Sequence, residues 1–195
     1  MGRWIACFLS ACALAACGVA DGREPGAPAV SRYGPAVVTV FGDVGLANRG
    51  PLDPDTDPLF DRYGLGLASA AAIGWDQLAA LDQHSIGADF PAGSAVHEFS
   101  GPLLRDVLGL TDPGRGDLVF TAIDGYQLAL PQMVFDVHDV LLAIRVDGEP
   151  MALGGLGPAM LVWPRIDDVA LSGMPDDNWI WGVFAIEVQA GDPAE

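Results

Sequence analysis

The stretch Phe99–Tyr126, FSGPLLRDVLGLTDPGRGDLVFTAIDGY, constrains the fold more than any other, because it sets a short helix, a stop and a buried strand in one run. Gly101-Pro102 predicts the helix start, since a proline in the first turn gives up only an N–H that has no partner there. Leu103, Leu104, Val107, Leu108 and Leu110 follow at helical spacing and define one apolar stripe. Asp112-Pro113-Gly114 ends the helix and turns the chain. Leu118–Ile123 is short, apolar and partly β-branched, as a buried strand is, and it stops at the turn residues Asp124-Gly125. The helix, placed at Pro102–Leu110, is expected to pack on a sheet carrying Leu118–Ile123 and Trp179–Val188.

With 195 residues and 51% hydrophobic content, the chain can bury a core of one domain. Its 26 acidic residues face only 9 basic ones, all of them arginine. Such a balance repels nucleic-acid phosphates and anionic headgroups, so no nucleic-acid partner is expected.

Residues 1–16 read as a signal peptide. Arg3 gives a positive start, Trp4–Ala13 is an apolar run too short to span a bilayer, and small residues follow. Leu14-Ala15-Ala16-Cys17, with Gly18 next, resembles the bacterial lipoprotein signal, which implies lipidation of Cys17 and a membrane anchor there; an ordinary cleaved signal is the alternative. With Gly18 rather than Asp after the cysteine, the resemblance to the usual lipoprotein sorting pattern implies the outer membrane, with the protein facing the periplasm. All three cysteines fall in the first 17 residues, so the mature domain has none to offer. Residues 17–32, rich in Gly, Pro and Ala, form the expected tether, and 33–195 the folded domain.

Val37–Phe41 reads as a first strand. Asn48–Tyr63 reads as a loop whose Asp53, Asp55, Asp57 and Asp61 stand at the offsets that begin a calcium loop. Pro58 and Gly64 occupy the places where that loop needs glycine and glutamate, so a solvated acidic loop is expected instead. Leu65–Ile73 is open between helix and strand, and Trp75–Leu81 is a short amphipathic helix. His84–Phe99 reads as two extended pieces around Pro91–Ser94. Gln127–Leu130 and Val140–Arg145 read as strands, the second turning at Asp147-Gly148, and Gly157–Trp163 closes at Pro164. Trp179–Val188, apolar on both faces, reads as a central strand. Many short strands with a few short helices predict an α+β fold with mixed or antiparallel sheets.

Five segments in order carry a resemblance. FSGPLLRDVL from Phe99, AIDGY from Ala122, Leu130-Pro131, LLAIRVDGE from Leu141, and Gly157-Pro158 followed by LVWP from Leu161 resemble the sulfite-oxidase-type oxidoreductase molybdopterin-binding domain, in its small single-domain bacterial version. The resemblance covers about Val37–Val188. It implies that fold, and in working members a molybdenum held by a pterin dithiolene and one cysteine thiolate. The thiolate would come from the loop matching His84–Glu98, which here has no cysteine. Asp89, Ser94 or His97 would change the electronics of the metal. Basic groups would hold the cofactor phosphate; the matching region offers Arg105, Arg115, Arg145 and Arg165, and Leu156 stands where a basic residue is common.

The reading that follows is a cell-envelope module keeping the fold without the redox centre, with no catalytic residue, metal or cofactor expected. The alternative is a working molybdopterin-dependent oxidoreductase with an unusual metal environment. Ala92–Ser94 and Gly154–Gly157 have little bulk to fill the volume of a pterin, so a cleft is expected beside the His84–Glu98 loop and Asp124–Tyr126. His97, Asp124, Gly125, Tyr126 and Gly157 are its candidate lining, although Asp124-Gly125-Tyr126 also reads as a plain hairpin turn. Its ligand is expected to be a small neutral or cationic molecule, or a protein partner. His138 between Asp136 and Asp139 reads as a surface turn rather than a proton-transfer pair or a metal ligand, and a site joining His84, His97 and His138 matches no short motif. Trp163, Trp179 and Trp181 read as core and strand residues.

Overall fold

The computed structural model describes residues 35–191; the expected signal peptide, Cys17 and the expected tether lie outside them. The chain runs β1 (Ala36–Gly42), α1 (Pro58–Arg62), β2 (Ala70–Gly74), α2 (Trp75–Ala80), β3 (Gln83–Ala88), β4 (His97–Pro102), α3 (Leu104–Gly109), β5 (Leu118–Ala122) and β6 (Gln127–Leu130). It continues through α4 (Met133–Val137), β7 (Leu141–Ala143), β8 (Arg145–Val146), β9 (Glu149–Pro150) and β10 (Met160–Val162) to β11 (Val183–Val188). Short 3-10 turns occupy Val169–Leu171 and Asp176–Asn178.

The largest sheet has the order β2-β1-β11-β5-β6. Only β1 and β11 run parallel; the other pairs are antiparallel, so the sheet is mixed. Strand β11 lies at its centre, and its apolar character on both faces follows from cover on both sides. Val183, Ile186 and Val188 enter the main core, while Phe184 and Ala185 face a smaller cluster with Phe41, Leu65, Leu67 and Ala70. A second sheet, β3-β4-β8-β9, and the pair β10-β7 complete the framework.

The acidic loop is more structured than its composition predicts. Residues 58–62 form α1, and Leu52, Leu59, Phe60 and Tyr63 pack on the smaller cluster; Phe60 meets Phe184 edge-on at 5.1 Å. Apolar residues spaced among the aspartates therefore cover the second face of the sheet. The aspartates shape the turn: Asp57 pairs with Arg49 at 2.6 Å, and Asp53 accepts the Asp55 N–H.

Gly101-Pro102 does not start the helix. Both belong to β4, opposite His84 and Gln83, and α3 begins at Leu104. Glycine is needed at 101 because a Cβ there would run into the backbone of Leu142 and Ala143 in β7. The apolar stripe is as expected: Leu104, Val107 and Leu108 are buried and share one core with Leu118, Phe120, Val183 and Ile186. The expected strand Val140–Arg145 is two, since β7 pairs with β10 and β8 with β4, while Ile144 between them donates its N–H to Ser100. Asp147 and Gly148 both have positive φ, as a tight hairpin turn requires. Helix α4, with Phe135 its only buried residue, gave no periodicity to read.

Candidate functional site: an aromatic and acidic cleft

A cleft of about 310 Å³ opens where the β5–β6 turn, the loop after β3 and the segment entering β11 meet. Asp124 and Tyr126 form one wall, Phe90 another, and Asp176, Asp177, Trp179, Ile180 and Trp181 the third.

The first wall is a tight turn. Asp124 Oδ1 accepts the Tyr126 N–H at 2.9 Å, Gly125 has φ 90°, and Gly125 donates to the Ala122 carbonyl. Tyr63 backs this turn: its hydroxyl donates to the Ile123 carbonyl at 2.9 Å, and a Cβ at residue 125 would press its ring. Tyr126 then reaches across, its hydroxyl donating to the Asp177 carbonyl at 3.2 Å. The turn reading and the cleft reading of Asp124–Tyr126 thus describe the same atoms.

The other two walls are joined by Arg165, which is only 8% exposed. Its guanidinium donates to Asp176 Oδ1 at 2.6 Å, Asp89 Oδ1 at 3.1 Å and the carbonyls of Asp89 and Met174. It also lies 4.7 Å over the Trp179 ring, which stacks on Phe90 at 5.5 Å and 15°. The carboxylates in turn hold the loop: Asp89 Oδ2 accepts the Gly93 N–H and Asp176 Oδ2 the Ala92 N–H. The Gly93 N–H first, and then Arg165, keeps the Asp89 carboxyl below its usual range. Arg165 first, and then the Ala92 N–H, does so for Asp176. Burial opposes the charge on Arg165, but the two carboxylates outweigh it and raise its pKa.

Two other candidates lie elsewhere. His97 sits at the exposed start of β4, its Nδ1 2.7 Å from Asp147 Oδ2, and does not line the cleft. That bond, with the Glu98 N–H, lowers the Asp147 pKa. Gly157 is also outside the lining, and a Cβ there would meet the Met151 carbonyl. Gly157→Ala should therefore lower the thermal midpoint by several degrees while leaving the cleft intact; an unchanged midpoint would show that no close approach constrains it.

His138 is part-buried rather than part of a surface turn, with Nδ1 2.6 Å from Asp168 Oδ2. This bond and the Ala170 N–H lower the Asp168 pKa. Among the described residues no three His, Cys, Asp or Glu side chains form a metal-binding group. Phe90, Asp176 and Asp177 were not singled out from sequence, and Trp181 only as a core or strand residue. The signal was the run DDNWIW at 176–181, in which carboxylates sit beside indoles. Trp163 and Trp179 are buried, but Trp181 is 38% exposed at the cleft, not a core residue.

The residues present do not fit a molybdopterin. The loop between β3 and β4 offers no thiolate, and its Asp89 is held by Arg165 and Gly93. None of the four candidate arginines lines the cleft: Arg105 pairs with Asp139, Arg115 with Asp136, Arg165 with Asp89 and Asp176, and Arg145 lies over Trp75. A phosphate placed there would meet carboxylates instead.

No family model and no curated protein matches the chain. Among solved structures, the sulfane dehydrogenase SoxCD from Paracoccus pantotrophus is similar, with a TM-score of 0.53 over 80% of this chain and 14% sequence identity. The fold is sulfite-oxidase-like. It is the α+β molybdopterin-binding-domain fold that the five segments imply, built of mixed and antiparallel sheets with few short helices. At 14% identity the likeness concerns the fold alone, and this chain spans 38% of the length of that one.

Proposed function

We propose that this chain is a lipid-anchored cell-envelope module that binds a small ligand or partner segment on a sulfite-oxidase-like scaffold and catalyses no redox reaction. The observation that carries this reading is the chemistry of the cleft, which presents carboxylates and aromatic rings where a working member would need a thiolate and cations. Its volume, about 310 Å³, stands at the lower end of the roughly 300–1,000 Å³ typical of ligand pockets. The competing reading, a molybdopterin-dependent oxidoreductase with an unusual metal environment, is favoured by the turn Asp124–Tyr126, which lies in a segment resembling that family and borders the cleft. Purified from a host that makes the cofactor, the protein should oxidise no sulfite and reduce no sulfoxide; turnover of either would favour the competing reading.

Anchoring rests on the sequence around Cys17. Two acyl chains give stable attachment where one is marginal. Wild-type protein should sediment with outer membranes, and Cys17→Ser should move it to the soluble fraction or stall it unprocessed. Wild-type mature protein recovered from the soluble fraction would contradict the anchor.

A further inference from the structure

We propose that the cleft takes a small organic cation: an ammonium group on a short apolar body, with its charge within reach of Trp181, Tyr126, Asp124 and Asp177. This rests on the ligand-module reading and specifies the ligand class. Three properties of the cleft lead to it.

The first is aromatic surface left in water. Trp181 is 38% exposed and Tyr126 45%, and an aromatic face attracts a cation through its quadrupole. Among the described residues the molecule already makes this contact with its own arginines, Arg165 lying 4.7 Å over Trp179, Arg145 5.0 Å over Trp75 and Arg49 5.1 Å over Phe60. The second is charge. No arginine lines the cleft, and Arg165 behind it is saturated by Asp89 and Asp176. Asp176 is committed on both oxygens, to Arg165 and to the Ala92 N–H. Asp124 uses only Oδ1, on its own turn, and no hydrogen bond or ion pair involves the Asp177 carboxylate among the described residues. Two carboxylates are thus left to pair with a ligand, and the net charge of −17 draws cations and repels anions. The third is size: about 310 Å³ admits a compact cation and leaves little room for a polymer.

The test uses the full chain in a neutral detergent and three probes, followed by calorimetry and tryptophan fluorescence: choline, tetramethylammonium, and 3,3-dimethyl-1-butanol, the uncharged carbon counterpart of choline. Both ammonium ions should bind saturably and more weakly as salt is raised, while the neutral counterpart should bind roughly tenfold more weakly than choline or not at all. Trp181→Ala, and separately Asp124→Asn with Asp177→Asn, should each weaken choline roughly tenfold with the unfolding midpoint held within a degree or two. Equal binding of choline and its neutral counterpart would overturn the cationic class while leaving a ligand module standing. So would saturable choline binding that neither variant weakens, or no saturable ammonium binding. Bound molybdopterin would remove the ligand-module reading itself, so the two failures are distinct.

Discussion

Leu104→Ala should lower the unfolding free energy by about 2–5 kcal/mol, the range for truncating a fully buried leucine whose surroundings relax only in part. Leu104 is wholly buried in the first turn of α3, and its N–H is donated to the Val140 carbonyl, so the residue ties the helix to the chain entering β7. Its side chain joins the core formed with β5 and β11. Denaturant unfolding checks the value. A change near zero would mean that α3 is not packed on that core.

Arg165→Met should be nearly as costly, by a different mechanism. The substitution keeps much of the side-chain volume but removes the donor shared by Asp89, Asp176 and two backbone carbonyls. A loss of about 2–3 kcal/mol is expected, below the roughly 3–5 kcal/mol of severing a fully buried pair, because the two carboxylates keep some water. The pH dependence gives an independent sign. Asp89 and Asp176 have folded pKa values held below the usual carboxyl range, so the stability they contribute is full above that range and is lost as pH falls through the lowered values. The gap between wild type and Arg165→Met should therefore be constant near neutrality and narrow below about pH 4. A gap that widened in acid would contradict the ion-pair account. Limited proteolysis should also find the Phe90–Ala95 loop of the variant more readily cut, since the Ala92 and Gly93 N–H groups rest on the same two carboxylates.

The sheet was legible from sequence wherever burial left a pattern. The strand expected at Trp179–Val188 begins only at Val183, but its position at the centre was readable, because residues 183–188 are apolar on both faces where both faces are covered. The stripe Leu104, Val107 and Leu108 likewise announced α3. What misled was local chemistry with two physical uses. Gly101-Pro102 suits a helix start, but tertiary close approach of β7 claims the glycine for a strand. Aspartates in the loop before β2 suggest solvent or a cation, whereas Leu59 and Phe60 among them cover the sheet. For the cleft, the turn Asp124–Tyr126 was readable because turn chemistry is local. Phe90, Asp176 and Trp181 were not, since they come from segments far apart in sequence that meet only in the folded cleft, and nothing in their spacing carries that. His97 and Gly157 were drawn from the resemblance, and the structure places both outside the cleft lining.

On the proposed function, this fold carries none of the chemistry that working members of the resembled family perform. Native mass spectrometry of the mature protein, purified from a host that makes the molybdenum cofactor, tests it most directly, alongside elemental analysis of the same sample. The expected result is the mass of the lipidated chain alone and molybdenum far below one atom per chain. A species heavier by one pterin cofactor, with one molybdenum per chain, would contradict it.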